Sequence, residues 1–147
     1  MNSYVEPWIE DIKKALDWFI ELMGIEEWHR RRMRVAEYFH STENIKYTEE
    51  DIQHYEFERK FSPIAVYTDW ISWYMYLVES IFERRGCDDP SQSSRICPFF
   101  AAIGRDIHLL KQMKGVTRRL EVLFNEGQNM PDSTLYELVV AAHYARH

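Results

Sequence analysis

The chain has 147 residues, with 18 Lys plus Arg against 24 Asp plus Glu, a formal net charge of -6. That length implies one domain able to bury a sizeable core, so folding requires neither metal nor disulfide. The acidic balance argues against a general nucleic-acid binder, 46% hydrophobic content excludes disorder, and two Cys exclude a disulfide scaffold or a four-thiolate zinc site.

Helical periodicity dominates the chain from its first residues. Val5, Trp8, Ile9, Ile12, Leu16, Phe19, Ile20 and Met23 fall on one helical face, behind a Ser3–Glu6 capping box, and Gly24 stops the run. A second helix is expected from about Ile25 to Phe39, with Ile25, Trp28, Val35, Ala36 and Phe39 facing inward. So short a join implies a sharp corner or a kinked continuation. Ser41–Tyr47 reads as a loop, and Thr48 caps a third helix whose first turn carries Glu49, Glu50 and Asp51. Ser62-Pro63 opens a fourth, reaching about Arg85. Between Ile64 and Phe82 it is apolar on nearly every side, as befits the centre of a bundle; Asp69 and Glu79 within it argue against a membrane span.

Gly86–Cys97 is expected to be the one long loop, with Cys87 and Cys97 at its ends, read as free thiols with a disulfide stapling the loop as the alternative. Pro98 then opens a fifth helix running to Glu126, with Ile103, Ile107, Leu110, Met113, Thr117, Leu120 and Phe124 as its stripe. Gly104 and Gly115 share a face of it and imply either close helix contact or a kink. Pro131, Thr134 and Glu137 open the last helix, with Leu135, Leu138, Val139 and Ala142 inward and His143, Arg146 and His147 at its C-terminus. Few Gly and Pro, no β-alternation and no internal repeat complete the picture. The expected architecture is all-α, a compact bundle of five to six helices forming a single domain over residues 1–147.

Three features bear on function. His29, Arg30, Arg31, Arg32, Met33 and Arg34 form a cationic run beside Trp28. Arginine is suited to bidentate carboxylate contacts, and aromatics near arginine are typical of protein interfaces. Trp28, Arg30, Arg31 and Arg34, with Trp18 as a secondary contact, are therefore the expected partner-binding residues. Next, Glu26 with His29 and Glu37 with His40 repeat the Glu-x-x-His spacing of ferritin-like metal bundles, but on one helix and roughly 16 Å apart. Glu37, His40 and His54 are the metal-ligand candidates. The third feature is Arg34 and His40 with five residues between them, which resembles the Arg-x(4–6)-His motif of the HEPN ribonucleases. That resemblance spans seven residues and implies an Arg and a His acting on a scissile phosphate at a dimer interface.

No glycine-rich phosphate loop, Cys-x-x-Cys, His-Glu-x-x-His or nucleophile elbow occurs. The leading expectation is a non-enzymatic interaction module, an accessory subunit, adaptor or inhibitor of a larger protein or complex. It would need no cofactor, nucleic acid or membrane, with homodimerisation an open alternative. A metal-binding helical bundle and a HEPN-like ribonuclease follow in that order. Met1–Glu10 lack a basic start followed by an apolar run, so a cytoplasmic location is expected.

Overall fold

The computed structural model describes residues 7–43, 69–83, 90–125 and 131–146. Among them are seven helices and no strand: α1 Pro7–Met23, α2 Ile25–Glu43, α3 Trp70–Glu83, α4 Pro90–Arg105, α5 Ile107–Gln112, α6 Val116–Leu123 and α7 Pro131–Arg146. No helix among the described residues is long and apolar enough to cross a membrane. The expected helix from Thr48 and the Ser62-Pro63 start lie outside the described residues.

Every α1 position from the predicted stripe that is buried (Ile12, Leu16 and Phe19) recurs at helical spacing, joined by Ala15 and Trp18. Gly24, at φ 96°, separates α1 from α2 as a single left-handed residue. Its N–H donates to the Ile20 carbonyl at 2.9 Å, and its own carbonyl accepts from Trp28 at 2.9 Å, so a one-residue corner closes both helices. Past the corner, α2 runs to Glu43 and takes in the start of the expected loop. Ile25, expected inside, is 57% exposed.

The central helix is α3: Ile71 to Ser80 are all buried, as the all-round apolar sequence implied. Asp69 precedes it and acts as its N-cap. Its carboxylate accepts from the Ser72 N–H at 3.4 Å and the Ser72 hydroxyl at 2.7 Å, while its carbonyl accepts from Trp73 N–H at 3.2 Å.

The C-terminal half departs from the expected single long helix. α4 begins at Pro90, so most of the expected loop is helical and Pro98 lies within the helix. Ser94 and Pro98 are both exposed, so the helix bond that proline cannot make falls on the solvent side. Past α4 the chain breaks at Asp106 and again at 113–115, where Met113 is extended and Gly115 has φ 87°. Past this second break Val116 lies in the core and Thr117, expected there, is exposed, while Leu120 keeps its expected place.

Helices α1 and α4 form the tightest pair. A Cβ built on Gly104 would stand 1.7 Å from the Asp11 carbonyl oxygen, so the two backbones touch where only glycine fits. Around that crossing Phe19 meets Phe100 and Phe124 edge-on, with ring centroids 5.3 and 5.4 Å apart. The buried side chains of all seven helices form one continuous apolar cluster.

Candidate functional site

The arginine run on α2 divides between the inside and the outside of the fold. Trp28, Arg31 and Val35 are spaced three and four apart and form the buried stripe of α2, at 1%, 3% and 0% exposure. Arg31 grips the Asp69 carboxylate through Nε at 2.8 Å and Nη2 at 2.6 Å, and its Nη1 donates to the Phe124 carbonyl at 2.7 Å. One guanidinium thus ties α2, the cap of α3 and the end of α6. The Trp28 indole N–H donates to Glu79 at 3.2 Å, and Arg32 pairs with Glu79 at 2.6 Å and Glu83 at 2.9 Å. Two acids of α3 therefore answer the cation that faces it.

These placements correct the expected partner surface. Trp28 and Arg31 are core residues, and Trp18, only 6% exposed, packs beside Phe19 with centroids 5.9 Å apart. Arg30 and Arg34 remain on the outside. Arg30 pairs with Glu27, and that bond holds the Glu27 carboxyl below its ordinary value. Their outward neighbour is Met33, 63% exposed, within an otherwise polar face.

Of the metal candidates, Glu37 is exposed on α2, whereas the His40 side chain and the whole of His54 lie outside the described residues. Among the described residues no three His, Cys, Asp or Glu side chains converge on a point that could hold a metal ion. Cys97 sits half-buried on α4, and burial pushes its thiol pKa up. Cys87 lies outside the described residues.

A second polar cluster joins α3, α4 and α7. The buried Tyr74 hydroxyl donates to Asp132 at 2.5 Å and accepts from Arg95 at 2.9 Å, Arg95 also pairs with Asp132, and its guanidinium lies 5.1 Å from the Tyr74 ring centre. Burial, then the carboxylate partner, push the phenol well above its ordinary pKa. A hydroxyl that holds its proton so firmly, with both partners satisfied, works as a fastening and not as a base.

Among the described residues a cleft opens between α6 and α7. Lys114, Gly115, Arg118, Arg119, Val122, Thr134 and Glu137 line a cleft of about 440 Å³. Three of its four charged side chains are cationic, on a chain whose net charge is -6. Arg119 is paired with Glu137 across the cleft. Val122 in its lining is 50% exposed, and Tyr136, elsewhere on α7, is 62% exposed. Tyr136, Val140 and Tyr144 recur every four residues and form one strip along the outward side of α7. This helix is therefore apolar on its outer face as well as on the inner face built from Leu135, Leu138 and Ala142. Sequence reasoning missed this cleft, although Lys114-Gly115 followed by Arg118-Arg119 places cations on both sides of a helix start. Comparison with protein-family models, with curated proteins and with solved structures finds no match for this chain.

Proposed function

We propose that the protein is a non-enzymatic interaction module, an accessory subunit, adaptor or inhibitor, that docks an acidic segment of a larger protein in the α6–α7 cleft. The observation that carries this reading is the concentration of Lys114, Arg118 and Arg119 around one cleft of a net acidic chain, with the half-exposed Val122 in its lining. Charge complementarity steers a partner of opposite sign and rejects one of like sign. Val122 then gives the encounter an apolar contact from which water is excluded. The two polar clusters described above hold helices together, whereas Lys114 and Arg118 in the cleft are exposed.

Site-specific photo-crosslinking tests the reading, with a benzophenone side chain at position 122 in the protein expressed in its own source cells. The expected result is an adduct with a larger protein through an acidic peptide. The combined Lys114→Glu and Arg118→Glu variant should lose it, and Arg30→Glu, on the opposite charge cluster, should keep it. Both altered cleft residues are exposed, so circular dichroism should show an intact fold. An adduct undiminished by the charge reversal, or one formed through a basic peptide or a second copy of this chain, would overturn the proposal.

A further inference from the structure

Resting on the docking reading above, we infer that Glu137 is a built-in competitor for the cleft, a carboxylate of the chain itself that occupies Arg119 until a carboxylate of the docking segment displaces it. Arg119 reaches from α6 and Glu137 from α7, and their ion pair spans the cleft that both side chains line. Among the described residues of that lining Glu137 is the one acid, against Lys114, Arg118 and Arg119. The pair therefore cancels one of three positive charges at the place where an acidic segment would dock.

The bond itself shows which chemistry this wall takes. Arg119 donates through Nη1 to a Glu137 carboxylate oxygen, and a guanidinium fork is shaped for such a partner. A carboxylate on another chain would make the same bond, so the two are alternatives for one donor group. Lys114 and Arg118 stand exposed in the same lining and make the first contact.

The pair is also of the kind that opens at little cost. Both side chains are 51% exposed, and water and salt compete with an ion pair in that setting. The Arg31–Asp69 pair could not serve in this way, since parting it would strand charge in the core. Nor does opening release α7, which stays packed through Leu135, Leu138 and Ala142 and tied at its ends by Asp132 to Arg95 and by Arg146 to Asp106. The consequence is selective. A segment with one or two acids is held by Lys114 and Arg118 alone, and a segment with a third acid within reach gains Arg119 only by displacing Glu137.

The test is a titration of the full chain with a hexaglutamate peptide, read by calorimetry and by the ¹³C resonance of the Glu137 carboxyl group. Glu137→Gln should bind the peptide about two- to fivefold more tightly than the unaltered protein, the range over which exposed ion pairs act on an equilibrium. Glu121→Gln removes the same charge from an exposed position of α6 outside the lining and should gain clearly less. In the unaltered protein the Glu137 carboxyl resonance should move as the peptide saturates, because that carboxylate passes from guanidinium to water. Three results overturn the competitor: Glu137→Gln binding no more tightly, an equal gain from Glu121→Gln, or a Glu137 resonance that stays in place with the peptide bound. A charge-sensitive adduct at position 122 together with any of these removes the competitor and leaves the docking reading standing. Tighter binding by Glu137→Gln without a charge-sensitive adduct removes the docking reading instead.

Discussion

Gly104→Ala adds a single methyl group, and the structure sets two opposing effects against each other. Alanine favours a helix interior over glycine by about 0.5–1 kcal/mol. Against that, the new Cβ would stand 1.7 Å from the Asp11 carbonyl oxygen, where ordinary contact begins at 3.4 Å, so α1 and α4 must part by about the difference, 1.7 Å. A gap of half to one ångström already forfeits a quarter to a half of a dispersion contact. Ile12, Ala15, Leu16 and Phe19 on one side and Ile96, Phe100 and Ile103 on the other would all lose packing. With each large side chain contributing about 1.5–3 kcal/mol when fully buried, a partial loss over several of them outweighs the propensity gain. The expected net cost is roughly 3–5 kcal/mol. With a urea slope of about 2 kcal/mol/M, the unfolding midpoint followed by tryptophan fluorescence should fall by roughly 1.5–2.5 M. Gly115→Ala is the control: it has open space but a φ of 87°, and should cost about 1–2 kcal/mol from backbone strain alone. A Gly104→Ala midpoint equal to or above that of the unaltered protein would refute the close-contact argument.

Other expectations follow from the polar clusters. Arg31→Met leaves the buried Asp69 carboxylate without its cation and should cost about 3–5 kcal/mol in urea unfolding, whereas Arg30→Ala, on a surface pair, should stay within about 0.5 kcal/mol. A similar cost for both would show that Arg31 is not in the core. Because the folded state raises the Tyr74 pKa, the native protein holds that proton more tightly than the unfolded chain. The resulting stability is complete below about pH 10, the ordinary tyrosine value, and is lost as pH rises beyond it. Tyr74→Phe should flatten that alkaline decline in thermal melts at the expense of about 1–2 kcal/mol at neutral pH, and an unchanged alkaline profile would contradict the assignment. In a Cys87→Ser background, Cys97 should react with iodoacetamide more slowly at pH 8 than in urea, since burial disfavours its thiolate; equal rates would place the thiol outside the packed helices.

The helices with one apolar face were legible in the sequence because packing and periodicity agree there. Ile12, Leu16 and Phe19 on α1, and the all-round apolar α3, stand where the pattern put them. Gly104 was singled out with two meanings, and the backbone contact at Asp11 selects close approach. What escaped was what the pattern treats as exceptions. Arg31 occupies the position between Trp28 and Val35 that a hydrophobic side chain would take. Its charge pointed outward by type, while the spacing of that stripe pointed inward, and Asp69 with the Phe124 carbonyl makes the inward placement affordable. Pro98 read as a helix start although its exposed side tolerates a missing N–H, and the break at Met113–Gly115, which restarts the helix at Val116, was invisible to a stripe drawn through Thr117. The cleft escaped for another reason: Thr134 and Arg118 come together only through the packing of α6 on α7.

The pairing of α1 with α4 also has a consequence during synthesis. The segment that must cover the apolar face of α1 emerges from the ribosome roughly ninety residues after it, a delay of about 5–20 s at ordinary elongation rates. Throughout that interval, among the described helices, only α2 and α3 have been made to accompany Ile12, Leu16 and Phe19, and the Gly104 seat that brings the two backbones together does not yet exist. A nascent chain halted before residue 104 is therefore expected to leave the face of α1 that packs on Gly104 uncovered, a surface on which ribosome-associated chaperones would act.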